Sequence, residues 1–431
     1  RAPAPDAGDL HRCPSACASL KSGGMRIEDA LRLVMGHFNA GRTEQGAALC
    51  GEILRAQPGN PVANALLARH LHRTGKSAAA LGLLDTALAT APDYPAAHDL
   101  KAQILADDPE TEIPVALDAL RRALVLSPRS AGGWFALGNL QQARAGLPAE
   151  SVSAYRRSLV VQPNDQACRM NLIAALLKLR RVAEADAACD TALAAEPRHI
   201  RALAFKTITH AANGRADEAE RLIGWGALTR VLRLPVPDGF ADIAAFNRSF
   251  EAAIRGHSNL REEWDPSRRA IRGGAIVTDL LKSDDPAIQA FKTALDAAVA
   301  DYTRDLAPHI AEAPDHPHLS ARPAGFGIDC WANILGAQGH QTGHIHNLGW
   351  LSGVYYVTLP PAVFEDDADQ AGWIEFNRPG YGIPDYDGVP LRATRPEEGM
   401  LVLFPSYVWH RTIPFDGGGE RISVAFDLHP R

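Results

Sequence analysis

Cysteine is scarce in this chain of 431 residues. Its six thiols, Cys13, Cys17, Cys50, Cys168, Cys189 and Cys330, are too few and too scattered for a disulfide-built secreted scaffold. No run of 18 or more apolar residues occurs, so no membrane-spanning helix is expected. Neither sign of charge dominates: 44 Lys and Arg against 50 Asp and Glu leave a net charge of −6. There is no basic stripe, and nucleic acid is therefore not an expected partner. Residues 1–24 contain no apolar stretch of the kind a secretory signal needs. They read as a flexible leader ahead of Met25, a candidate natural start. The expectation is a soluble protein of a reducing compartment, the cytoplasm, with two or three domains, since the length exceeds one ordinary core.

What the first half does have is a period. Pro58, Pro92, Pro128, Pro163 and Pro197 stand 34, 36, 35 and 34 residues apart, and Gly41, Gly75, Gly146 and Gly214 run in phase with them. Arg180 falls where a further glycine is due. Alanines recur at Ala80, Ala185 and Ala219, and at Ala87, Ala123 and Ala192, each set in fixed phase. This pattern, with Trp134-Phe-Ala-Leu137-Gly138, resembles the tetratricopeptide repeat: two amphipathic helices, a small residue at their crossing and a proline closing the second. Six units fit residues 25–225. The resemblance implies an all-α solenoid whose groove holds a protein or peptide partner, or mediates self-association into a homo-oligomer. Cys50 and Cys189 share one repeat position with Leu84, Leu120 and Tyr155, which marks them as core thiols. Cys13 and Cys17 are a weak candidate metal pair, lacking further ligands nearby.

After Trp225 the rhythm stops, and Leu234-Pro-Val-Pro-Asp-Gly239 marks a linker. Residues Ile243–Arg255 and Ile288–Leu306 carry helical spacing, and 308–323 reads as a loop. Short β-type runs follow at Cys330–Leu335, Leu351–Leu359, Gly372–Phe376, Met400–Phe404 and Ile422–Leu428, separated by Gly/Pro turns. Helices followed by such runs suggest an antiparallel double-sheet jelly roll. The division expected is 226–325 as a helical and loop support region and 326–431 as the core.

Chemistry concentrates in that core. In Gly343-His344-Ile345-His346-Asn347 the two imidazoles stand at i and i+2, so on an extended backbone both reach one metal ion. A third, His410, follows the apolar run from Met400, and Arg421-Ile-Ser423 comes eleven residues after it. A guanidinium in such a place suits a carboxylate beside the metal.

The segments His-x-His-Asn, Leu351-Ser-Gly-Val-Tyr-Tyr356-Val, Gly372-Trp-Ile-Glu-Phe-Asn-Arg-Pro379, Gly399 to Ser406 with His410, and Glu420-Arg-Ile-Ser-Val-Ala-Phe426 resemble the non-haem Fe(II), 2-oxoglutarate-dependent dioxygenases. The branch resembled is the prolyl-hydroxylase-like one, above all bacterial oxygenases that follow tetratricopeptide repeats in one chain. The resemblance implies Fe(II) on His344, His346 and His410, and 2-oxoglutarate with its distal carboxylate on Arg421, helped by Tyr356 and Ser423. It also implies O₂ as cosubstrate and hydroxylation of a C–H bond, on a protein or peptide brought by the repeats or on a small metabolite.

The superfamily's usual triad is two histidines and a carboxylate, whereas His346 stands at the middle position here, and no acidic residue lies in register to replace it. His340 is a possible substitute ligand, and His346 has an alternative role beside the metal or against substrate. Trp331, Asn333, Trp350, Trp373 and Trp409 are candidates to line the pocket of this site, each with core or strand packing as the commoner role. Two other readings stay open: a zinc hydratase or hydrolase, which also uses three histidines, and an adaptor whose jelly roll is a non-catalytic remnant.

Overall fold

The computed structural model describes residues 25–262, 271–365 and 369–431. The leader with Cys13 and Cys17, and residues 366–368 of the acidic loop, lie outside the described residues.

Twelve helices precede the first strand among the described residues, in six pairs: α1 (Ile27–Asn39) with α2 (Thr43–Ala56), α3 (Pro61–Arg73) with α4 (Ser77–Thr90), α5 (Pro95–Asp107) with α6 (Ile113–Leu126), α7 (Ala131–Ala143) with α8 (Pro148–Val161), α9 (Gln166–Lys178) with α10 (Val182–Ala195), and α11 (Ile200–Ala212) with α12 (Ala216–Ile223). The second helix of each of the first five pairs stops two residues before a repeat proline, whose ring and missing N–H forbid another turn. Inside four pairs the turn is made by Gly41, Gly75, Gly146 and Gly214, with φ between +65° and +79°. Arg180 adopts the same left-handed conformation, φ +56°, at the phase where glycine is missing. The repeat position of Cys50, Leu84, Leu120, Tyr155 and Cys189 is buried throughout, and burial pushes the Cys50 thiol up to about 12. These are core thiols, as the spacing predicts.

The chain forms two compact units, one ending at Cys168 and one beginning at Arg169. In the first, α7 and α8 approach closely at Gly138: a Cβ there would sit 2.5 Å from the Tyr155 ring.

The second unit holds the strands. A seven-stranded antiparallel sheet has the order β1 (Arg230–Arg233), β8 (Met400–Pro405), β5 (Leu351–Thr358), β10 (Arg421–Pro430), β4 (Phe326–Gln341), β3 (Ile271–Val277), β2 (Leu260–Arg261). A second sheet has the order β7 (Arg392–Thr394), β6 (Ile374–Phe376), β9 (His410–Thr412). The jelly-roll expectation holds, with differences. The strand expected at Cys330–Leu335 is much longer, and β1 to β3, β7 and β9 were not expected. Three of these five have four residues or fewer besides the two-residue β2, and β3 is interrupted by Gly273-Gly274, so alternation is too brief to read. The 308–323 segment is not all loop, since Ala307–Glu312 is helical.

β10 shows how the sequence chooses faces. Ile422, Val424, Phe426 and Leu428 join a core with α13 (Ile243–Arg255) and α14 (Pro286–Asp305). Phe250 stacks on Phe291 there at 4.8 Å, and Phe291 meets Tyr355 at 5.3 Å. The alternate residues Arg421, Ser423, Ala425 and Asp427 take the opposite face, because successive side chains of a strand point to opposite sides. That face carries the candidate site.

Candidate metal and cofactor site

His344 and His346 lie on the segment between β4 and β5, and His410 opens β9. Backbone pairing brings them together. His344 and His410 exchange two N–H···O bonds of 3.1 Å, and the His346 amide donates to the Ser406 carbonyl at 3.0 Å. The backbone of 378–380 packs against the residue before the histidines: a Cβ on Gly343 would lie 3.0 Å from Arg378 O, Pro379 O and Gly380 N, and one on Gly380 would overlap the Gly343 carbonyl oxygen. The three histidines each offer one ring nitrogen, and these nitrogens lie within 4.8 Å of one another.

Each ring is held from behind. His344 Nδ1 meets the Thr342 carbonyl at 2.8 Å, His410 Nδ1 the Val408 carbonyl at 3.0 Å, and His346 Nδ1 the Asp427 carboxylate at 2.8 Å. Acceptors at all three Nδ1 atoms put the proton there and leave each Nε2 with a lone pair. His346 Nε2 and His410 Nε2 face each other at 3.2 Å. Burial, then the neighbouring imidazoles, hold His410 well below the ordinary histidine range. Burial, then His346, pushes His344 down to about 3. Neutral imidazoles aiming lone pairs at one point repel unless a cation sits between them, and this donor set suits a divalent first-row metal. His340 does not join the group, contrary to the expectation of a substitute ligand: the clustered ring nitrogens are those of His344, His346 and His410.

Beside the histidines is a buried polar cluster with unmet hydrogen bonds. In the sheet register Ser423 of β10 stands between Asn333 of β4 and Tyr356 of β5. Arg421 is 1% exposed, and among the described residues no carboxylate pairs with it. Its Nη1 reaches Ser423 Oγ at 3.4 Å, its guanidinium lies 5.0 Å from the Tyr356 ring centre, and its Nε has no partner. Both amide atoms of Asn333 and the Tyr356 hydroxyl likewise lack a hydrogen bond. Burial raises the Tyr356 pKa, with Arg421 opposing, and burial lowers that of Arg421. An unpaired buried guanidinium is costly, and an anion with several acceptor oxygens is what would satisfy this set. A cavity of about 20 Å³ joins Arg421 to the three histidines. That is room for about one water, so seating a diacid requires its walls to shift. On the other side of His344 and His346 an open cavity of about 780 Å³ is lined by Trp331, Asn347 and Leu348.

The sequence reading misses one residue of this site and sets another aside. Asn333 was taken for packing, yet its amide is fully buried and unpaired. Asp427, near the far end of β10, is not among the expected residues, and it puts a carboxylate behind His346 rather than among the three clustered nitrogens. The signal for Asp427 is the alternation of polar residues at 421, 423 and 427 with apolar ones in β10, and that for Asn333 is a lone amide in the apolar run 332–335 of β4. Trp331 stacks on His346 at 5.6 Å, while Trp350 stacks on His318 in the core.

Comparison with known proteins yields two matched segments. Residues 329–427 match the family described as "Putative 2OG-Fe(II) oxygenase", and residues 37–104 match the tetratricopeptide repeat family. Among solved structures, the chain is similar to the Pseudomonas aeruginosa pilF protein (18% identity, 49% of this chain and 95% of that one, TM-score 0.39). Others are a thermophilic TPR protein of Thermus thermophilus (22%, 42% and 97%, 0.33) and YrrB, described as a TPR protein with an unusual peptide-binding site (16%, 40% and 91%, 0.36). No curated protein matches the chain. The chain thus carries a tetratricopeptide-repeat region at 37–104 and, at 329–427, a region similar to 2OG-Fe(II) oxygenases that spans His344, His346, His410 and Arg421.

Proposed function

We propose that the chain is an Fe(II)- and 2-oxoglutarate-dependent dioxygenase that hydroxylates a protein or peptide recruited by its repeats. The observation that carries this reading is Arg421, a fully buried guanidinium without a carboxylate, joined by a small cavity to three inward-facing histidines. In this reading His344, His346 and His410 hold the iron. Arg421 binds the distal carboxylate of 2-oxoglutarate, with Ser423, Tyr356 and Asn333 donating to it. When bound, the metal and 2-oxoglutarate supply oxidative decarboxylation by O₂ to succinate and CO₂, coupled to oxygen insertion into a C–H bond. The chain's own residues hold His344 and His410 neutral, keep the three imidazoles aimed, and bury the anion where water cannot compete. The open cavity beside His344 and His346 receives the substrate segment. Repeats of this kind build extended binding surfaces, which favours a polypeptide substrate over a metabolite.

The test is an anaerobic titration of 2-oxoglutarate into the Fe(II)-loaded protein, following the visible metal-to-ligand charge-transfer band. A band is expected in the wild type. In Arg421→Ala it should vanish while iron stays bound. Iron bound without a band would shift the reading to a zinc hydrolase or a non-catalytic adaptor.

A further inference from the structure

Three imidazoles bring no negative charge to a divalent ion, and His344 and His410 are backed only by neutral carbonyls. His346 alone is backed by an anion. We propose that Asp427 supplies, through His346, the negative charge that the all-histidine set lacks, and so acts as a positioning residue that tightens metal binding. The inference rests on the metal reading above.

The carboxylate is buried, 9% exposed, and both its oxygens approach His346 Nδ1, at 2.6 and 2.8 Å. Ser352 Oγ donates to Oδ1 at 2.6 Å and meets Ser406 Oγ at 2.8 Å. The Ser406 carbonyl in turn accepts the His346 amide, which closes a ring around that ligand. Among the described residues no lysine or arginine pairs with Asp427, so its charge is directed at His346. A carboxylate on the rear nitrogen fixes the tautomer, orients the ring and makes the front nitrogen a stronger donor.

The experiment measures Fe(II) and Co(II) affinity by anaerobic chelator competition for the wild type, Asp427→Asn, Asp427→Ala and Ser352→Ala. Metal-free melting temperatures and the Fe(III)/Fe(II) potential are recorded alongside. Asp427→Asn keeps the shape and an acceptor, and carries the test if the alanine variant does not fold. It should bind metal about 10- to 100-fold more weakly, with an unchanged metal-free melting temperature and a raised potential, since lost negative charge favours the lower oxidation state. Ser352→Ala retains the carboxylate and should stay within a few-fold of wild type. Wild-type affinity in Asp427→Asn would overturn the proposal, as would weaker binding at an unmoved potential, which means ring support without charge. A wild type that binds neither metal would overturn the metal reading itself, and the proposal with it.

Discussion

The indole N–H of Trp409 donates to the main-chain carbonyl of Ala204 at 2.9 Å, so the residue preceding His410 is fastened to helix α11. Tyr407 likewise donates to the Leu222 carbonyl at 2.7 Å. The turn between β8 and β9 that delivers the third histidine is held on both sides of Val408 by α11 and α12.

Trp409→Phe keeps most of the ring packing against Phe205 but removes that bond. The expected cost is about 1 kcal/mol, read as a lower midpoint in urea unfolding, together with weaker metal binding. An unchanged midpoint would mean the bond is not formed in solution.

Asn333→Ala separates binding from stability. It removes two buried polar atoms that have no partner, so the free protein should be as stable as wild type or more so. Affinity for 2-oxoglutarate should fall. If stability drops and affinity holds, Asn333 is a packing residue after all.

Two glycines of the repeats should fail for different reasons. At Gly75 nothing lies within 4 Å of a new Cβ, so Gly75→Ala carries only the left-handed backbone cost, roughly 1–2 kcal/mol. At Gly138 the new methyl meets the Tyr155 ring, and overpacking of about 1–3 kcal/mol is expected. Calorimetry of Gly138→Ala with Tyr155→Leu should recover most of that loss, whereas Tyr155→Leu should not rescue Gly75→Ala.

Acid should weaken the second unit through His318. Its ring stacks on Trp350 at 4.6 Å, its Nε2 lies 3.1 Å from the Tyr302 hydroxyl, and burial, then His316, pushes its pKa down to about 3. The folded value lies below the unfolded one, so between pH 6.5 and about 3 the unfolded chain binds the extra proton. Stability is then full above pH 6.5 and falls with pH, by about 1.4 kcal/mol per pH unit for each such proton. Urea unfolding of metal-free wild type and His318→Gln at pH 7 and pH 5 checks this. The variant should lose less on acidification, and equal losses would remove His318 from the account.

What could be read in advance was local. Repeat prolines end helices because of their own covalent structure, and His344 and His346 share a face because of strand pleat. Asp427 could not be assigned in that way. It stands 81 residues from His346, and its meaning depends on which strands pair. Asn333 is similar: beside Ser423 and Tyr356 it belongs to a site, and the linear sequence does not say that they are neighbours. Arg180 shows a third kind of obscurity, since a non-glycine residue held at φ +56° also donates to the Asp385 carbonyl at 3.2 Å.

Solenoids of this type ordinarily gain and lose whole modules, because each touches only its neighbours. The division at Cys168 and Arg169 gives that freedom a limit here. Modules ahead of it supply neither of the carbonyls that anchor Trp409 and Tyr407. Those behind it carry the carbonyls on which Trp409 and Tyr407 hang, so a graft there would disturb the turn that leads into His410. An engineer should cut ahead of α9, which begins at Gln166, so that the fragment carrying the three histidines and Arg421 keeps that helix whole.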